Sequence, residues 1–186
     1  MAYGWEGDRL RLAPLDKERH LEAALRWLND PEVTRWTLIG DLPISRLGEE
    51  EFFDRMSRGT DTDVLFAVET LEGDHLGFSG MHRIEWRHGF AVTGTVLGRT
   101  DLWGRGYGTE AARLRASYAF EVLGLRLLLS EVMDGNVASV RMLSKAGYQP
   151  AGRIPRRHWK RGAWRDTLLF VLERPPDAVM AAGRAS

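Results

Sequence analysis

Three glycines at alternate positions, Gly104, Gly106 and Gly108, sit in the run WGRGYGTEAARL (residues 103–114) and lead directly into a helix-forming stretch. Glycine is entropically costly to order, so such a cluster signals positive backbone angles or close approach by something bulky. The chemistry this turn can do is anion binding. Uncovered backbone N–H groups, the unpaired donors of the helix's first turn and the positive end of its dipole converge on one point. A diphosphate fits there, and so does a tight strand-to-helix connection with no ligand. Neither familiar nucleotide motif is present: there is no GK[ST], and no acidic residue ends an apolar strand about 20 residues on to hold a ribose.

A second polar pair, Asn136 and Ser139, lies three apart at the start of the segment NVASVRMLSKAG and shares a helix face. Asn136 reads as the cap and Gly147 as the stop. The five histidines, His20, His75, His82, His88 and His158, lack metal-ligand spacing, so no metal is expected. The absence of a Gly-x-Ser-x-Gly elbow and of any cysteine leaves covalent acyl-enzyme routes poorly represented.

Positioning these groups requires a full core, and 186 residues suffice for one domain spanning residues 1–186, with a core over about 8–173 and a loose tail over 174–186. Lys plus Arg and Asp plus Glu are both 26, so no global field drives the chain onto nucleic acid or an acidic membrane, and any anion site is local. The amino terminus lacks a secretory pattern and no apolar run reaches membrane-span length, which predicts a soluble, cytoplasmic protein without a membrane partner.

DRLRLA (8–13) alternates as an opening strand, and Leu21, Ala24, Leu25 and Leu28 recur at helical spacing up to a stop at Asn29-Asp30-Pro31. A second helix is expected near Ser45 to Arg58, paired strands at 63–70 and 75–85, and a further strand, AVTGTVLG, running into the glycine turn. In the helix after the turn Ala111, Leu114, Tyr118 and Val122 are assigned to the core, with Ala112, Ala116 and Ala119 beside them. An apolar strand at 125–133 and two more, around 148–153 and 167–172, complete an α+β (α/β) order around one sheet. RIPRRHWKRGAWR (153–165) reads as a solvated hairpin with a KRG turn rather than a nucleic-acid surface.

The stretch GMHRIEWRHGFAVTGTVLGRTDLWGRGYGTEAARL resembles the centre of the GCN5-related N-acetyltransferases (GNAT), in the branch that holds the ribosomal-protein N-terminal and the spermidine acetyltransferases. NVASVRMLSKAGYQPAGRI resembles that branch's second signature, and RWLNDPEV and HWKRGAWRDTLLFVL are similar to its two ends, so the resemblance covers nearly all of residues 8–173. It implies an acyl-CoA N-acyltransferase fold with a single mixed, mostly antiparallel sheet flanked by helices, and acetyl-CoA as acetyl donor to a primary amine. The amine is a protein or peptide N-terminus, or a small amine such as a polyamine or an aminoglycoside-like antibiotic; a non-catalytic acyl-CoA sensor is the competing class. A homodimer is also implied.

Residue by residue, the resemblance places the pyrophosphate on Trp103, Gly104, Arg105, Gly106, Tyr107, Gly108 and Thr109, with Trp103 standing where the fullest motif has Gln or Arg and Arg105 as the replacement charge. It puts Asn136 and Ser139 along the pantetheine arm and thiol. Leu143 stands where some members carry an acid Tyr, which leaves Ser139 as the candidate acid. Glu85 is the candidate base, ahead of Asp101 and His82; Leu97 or Gly98 is the expected oxyanion donor, from a strand bulge. Trp36 and Trp86, with Thr37, Leu38 and Phe52, are expected to wall the acceptor pocket.

Overall fold

The computed structural model describes residues 5–176, so residues 177–186 of the expected tail lie outside the described residues. Among the described residues, seven strands and four α-helices follow in the order β1 (Leu10–Pro14), α1 (Lys17–Leu28), α2 (Arg46–Ser57), β2 (Val64–Thr70), β3 (His75–Glu85), β4 (Phe90–Leu97), α3 (Tyr107–Ser117), β5 (Leu127–Met133), α4 (Val137–Lys145), β6 (Gln149–Lys160) and β7 (Ala163–Glu173). The sheet order is β1-β2-β3-β4-β5-β7-β6, and every pair is antiparallel except β4 with β5. The expected cap at Asn136 forms, accepting the Ser139 N–H, and Asp16 and Ser45, not expected as caps, likewise accept a backbone N–H of the helix they open.

The parallel pair is the feature that matters. Its ladder runs only from Phe90↔Leu127 to Thr93↔Ser130; beyond that β4 continues to Leu97 against β3 alone, and β5 continues to Met133 against β7 alone. The sheet therefore opens as a wedge. A buried polar cluster sits at its vertex, where Thr93 Oγ1 lies 2.9 Å from Ser130 Oγ and 3.1 Å from the Tyr148 hydroxyl. Arg115, fully buried in α3, donates to the Gly94 carbonyl (2.7 Å), Thr95 Oγ1 (2.7 Å) and Ser79 Oγ (2.9 Å). Gly94 and Thr95 are the first β4 residues past the last pair to β5, so the guanidinium satisfies polar atoms where the second strand has turned away.

One face of the sheet packs on α3 and α4 through Leu10, Leu12, Ala91, Leu128 and Val132, and a second cluster of Leu15, Leu21, Ala24 and Phe53 fills the space beneath α1 and α2. The expected core face of α3 is corrected in two places. Val122 is half-exposed, because α3 runs into a π-helical turn (Tyr118–Val122) whose Leu123 N–H bonds the Tyr118 carbonyl and carries Val122 outward. Arg115, absent from the apolar pattern, occupies the centre of the buried face beside Ala111, Ala112 and Ala116.

Candidate functional site

The glycine turn has the strained geometry its sequence demands. Gly104 and Gly106 hold φ of 76° and 91°, the left-handed region closed to most side chains, and a Cβ on Gly104 would meet nothing within 4 Å, so the turn faces open space. Gly106 caps α3 without a side-chain hydrogen bond, alone among the four α-helices. The first N–H groups of α3 are thus left for an external acceptor, which fits a pyrophosphate. Gly108 serves differently from its two neighbours: it is helical, and a Cβ there would sit 3.1 Å from Met142 Sδ, so its hydrogen lets α3 approach α4.

Around the turn, Trp103 Nε1 donates to the Leu97 carbonyl (2.9 Å), pinning the turn to the end of β4. The Arg105 carbonyl accepts from Arg9 Nη1 (2.8 Å), and the same guanidinium lies 4.7 Å over the Tyr107 ring and pairs with Glu110 at 2.9 Å. Arg9 therefore adds a cation that the sequence reading assigned only to an opening strand. Thr109 is half-buried in the first turn of α3.

At the mouth of the wedge, Asn136 Oδ1 accepts the Ser139 N–H at 3.1 Å, the expected cap, and Ser139 Oγ is left without a bond among the described residues. The expectation of an oxyanion donor at Gly98 is corrected: its N–H is bonded to the Leu76 carbonyl at 2.9 Å. A Cβ on Gly98 would lie 1.8 Å from the Trp27 ring, so that glycine exists to admit a tryptophan. Leu97 is the remaining member of that pair.

On the other face of β4 and β5, Arg83, Glu85, Phe90, Val92, Leu129 and Glu131 line a hollow of about 280 Å³. Glu85 is exposed; its backbone carbonyl accepts from the His88 and Gly89 N–H groups, and its carboxylate has no hydrogen-bond or ion-pair partner among the described residues. Glu131, one residue past the last β4–β5 pair, is held by Arg83 and Arg157, each at 3.2 Å. A second hollow of about 350 Å³, over the outer end of α2, touches none of these groups. The alternative bases are engaged elsewhere. Asp101 is chelated by Arg99 (2.9 and 2.8 Å), which holds its carboxyl below the usual range. His82 lies 3.0 Å from Asp63; burial pushes the Asp63 carboxyl up, but the hydrogen bonds from Thr62 and His82 outweigh it and hold it low.

The two tryptophans expected to wall one pocket sit apart. Trp86 lies in the β3–β4 turn and donates to the Asp61 carbonyl, whereas Trp36 packs on Gly135, where a Cβ would be 2.8 Å from its ring. These are opposite ends of β5, roughly 25 Å apart at a strand rise of about 3.3 Å per residue. Phe52 belongs to the cluster under α1 and α2 instead of to the pocket. What roofs the Trp36 end is the β6–β7 hairpin tip docked on the α1–α2 connection. Lys160 pairs with Asp41 (2.7 Å), and Arg161 donates to the Pro31 carbonyl (2.7 Å) and Thr34 Oγ1 (3.1 Å). The KRG turn carries positive φ at Arg161 (49°) and Gly162 (82°), as a two-residue hairpin loop requires.

A family model described as an acetyltransferase (GNAT) domain matches residues 9–149. The chain is 25% identical over 169 residues to N-acetyltransferase p20 of Bacillus licheniformis, covering 89% of this chain and 93% of the relative. It is also 25% identical over 160 residues to an L-methionine sulfoximine/L-methionine sulfone acetyltransferase of Pseudomonas aeruginosa, covering 84% and 90%. In fold it is similar to the spermidine N-acetyltransferase of Vibrio cholerae in complex with CoA and spermine, with a TM-score of 0.80 at 18% identity over 88% of this chain and 95% of that one. With a wedge between β4 and β5, an uncapped helix at its donor end and a family match over three quarters of its length, the chain belongs to the GNAT acetyltransferases and uses acetyl-CoA as its acetyl donor.

Proposed function

We propose that the protein transfers an acetyl group from acetyl-CoA to a primary amine by direct attack in a ternary complex. The observation that carries this reading is the placement of the uncapped N-terminus of α3 at the same end of β4 where that strand parts from β5. A diphosphate on the Gly104–Thr109 backbone leaves an extended arm free to lie in the wedge, with Asn136 and Ser139 beside it. Leu97 is the candidate oxyanion donor.

The acceptor must lose a proton. An α-amine titrates near about 8 and an alkyl ammonium near about 10.4, so a base matters more for the second. Glu85, the unengaged carboxylate of the hollow, takes that role through intervening water, since it stands at the Phe90 end of β4, while Glu131 is occupied by two guanidinium groups. The departing thiol is the lesser problem, with a pKa of about 8.5, and the unpartnered Ser139 hydroxyl suffices as its donor. Acceptors named for similar proteins, an amino-acid derivative and spermine, frame the choice between a small amine and a peptide N-terminus. Cytoplasmic location and a homodimer complete the proposal.

The test is a calorimetric titration with acetyl-CoA, followed by thiol release and mass analysis across a panel of amines. Binding with acetylated product supports the reading; binding without product from any amine would make the protein an acyl-CoA sensor, and initial-rate patterns of the ping-pong type would exclude direct transfer.

A further inference from the structure

Among the described residues, Arg165 is a cation without a counter-charge. It lies on β7, and because alternate residues share a sheet face, it follows Leu169 and Thr167 on the side that faces Glu131 and Met133 of β5. Its guanidinium carbon is 5.4 Å from the Trp36 ring centroid, its Nε is buried with no partner, and no carboxylate among the described residues lies within ion-pair distance. The neighbouring charges are already matched. Arg83 and Arg157 hold Glu131, Arg153 and the Arg156 N–H hold Asp166, Lys160 holds Asp41, and Asp134 accepts the Asp166 N–H. Arg35 lies 5.4 Å from the same Trp36 ring, so two guanidinium groups face one indole and neither has a carboxylate there.

The Trp36 ring is also what joins this cation to the reaction. Its edge rests on Gly135, the residue before Asn136, so one side of the indole borders the mouth of the wedge and another carries the guanidinium. A half-buried guanidinium stacked on an aromatic face is pre-oriented, and its planar fork matches a carboxylate with two parallel hydrogen bonds. Removing such a group from water without a partner is unfavourable, so the site favours an incoming anion and repels a polycation.

We propose that the acceptor is an amino-acid-like molecule, a small amine that also carries a carboxylate, and that Arg165, braced by Trp36, is the residue that selects it. This inference rests on the acetyl-transfer reading above and narrows its acceptor. A polyamine has no group for Arg165 to receive, and a peptide N-terminus offers no carboxylate near its amine.

The experiment measures acetyl-CoA-dependent thiol release with the L-amino acids, their α-amides and spermidine. The expected result is a kcat/KM for the best amino acid at least 10-fold, and up to about 100-fold, above that of its own amide, the range of a charge-assisted hydrogen bond. Arg165→Gln is expected to bring that ratio to within about threefold of unity while the Kd for acetyl-CoA from calorimetry stays unchanged. Arg165→Lys, which keeps the charge without the fork, retains part of the preference and covers the case in which the Gln variant does not fold. Equal rates for acid and amide, a best rate with spermidine, or a preference that survives in both variants would overturn the assignment while leaving acetyl transfer intact. Acetyl-CoA binding without product from any of these amines or from a peptide would overturn the acetyl-transfer reading, and this inference with it.

Discussion

The donor end and the acceptor end of the cleft are built by opposite means. The donor end is built mainly on one continuous stretch: β4, the glycine turn and the first turn of α3 lie between Phe90 and Glu110, braced by Arg9 at the Arg105 carbonyl and Glu110, and the turn's geometry follows from local backbone requirements. The acceptor end is assembled from segments far apart in sequence, with Arg161 reaching the Pro31 carbonyl 130 residues away and Lys160 the Ile39 carbonyl 121 residues away. Local construction makes the donor end recognisable. Assembly by side-chain bonds to loop carbonyls lets the acceptor end change its shape without disturbing the donor, which suits a fold that keeps one cosubstrate and varies the other.

Breaking the donor end should have the largest effect. Gly106→Val forces a β-branched residue to a φ of 91° and brings its Cβ to 3.1 Å from Arg9 Nη2, distorting the turn at its cap. Acetyl-CoA affinity measured by calorimetry should fall by about 100-fold or more, as expected when several charge-assisted contacts are misplaced together. A fall of the same size in a folded acceptor-end variant would erase the contrast between the two ends.

The chemistry between the ends comes next. Glu85→Gln is expected to lower kcat on the order of 100-fold, with acetyl-CoA affinity unchanged. If Glu131→Gln has that effect and Glu85→Gln does not, the paired carboxylate is the base. Ser139→Ala should lower kcat by about tenfold at the low end of proton-transfer contributions; a change in Kd alone would reduce Ser139 to a cofactor contact.

This contrast also explains what could be read from sequence. The strands, helices and glycine turn were legible because each is written in neighbouring residues: the helix start near Ser45, the cap at Asn136, the stop at Gly147, the KRG turn. Residues whose meaning depends on distant partners were not. Arg115 has no place in the apolar pattern of its helix, since nothing local announces the polar atoms of Ser79, Gly94 and Thr95 that receive it. Gly98 looked like part of a bulge, and only the Trp27 ring shows why it is glycine. Arg165 and Glu131 were hidden in the strand pattern for the same reason. An alternating polar residue signals an exposed face, and which face carries a cleft is decided by the strand order.

Loosening the acceptor end should have a smaller and separable effect. Arg161→Ala removes the bonds to the Pro31 carbonyl and Thr34 Oγ1, loosening the hairpin tip on the α1–α2 connection, where Lys160 still holds Asp41 and the Ile39 carbonyl. The acceptor KM should rise about five- to tenfold, near the net worth of one such bond, with the Kd of acetyl-CoA unchanged. An effect on acetyl-CoA binding instead would mean that the two ends are mechanically one.

The smallest effect is an acid sensitivity that resides at the donor end. His75, at the start of β3, packs against His20, Trp27 and Phe78, close to the Gly98 contact with Trp27. Its Nε2 lies 2.9 Å from the Gly77 carbonyl, which can only accept, so that nitrogen carries the proton and the buried Nδ1 is bare. Burial, and then the proximity of His20, pushes the His75 imidazole down to about 4. The folded state thus binds this proton less readily than the unfolded chain, whose imidazole titrates near about 6.5. The associated stability is complete above that value and is lost as pH falls toward about 4. Between pH 8 and about 5.5 this amounts to about 1 kcal/mol. Glu69 acts lower in the scale: burial raises its carboxyl, but bonds from His20 and Arg11 and the Arg19 charge outweigh it, so its contribution is lost only below the ordinary carboxylate range. Urea unfolding of the parent and of His75→Gln at pH 8 and 5.5 should show the parent losing about 1 kcal/mol more than the variant. Parallel losses would place the acid sensitivity elsewhere in the chain.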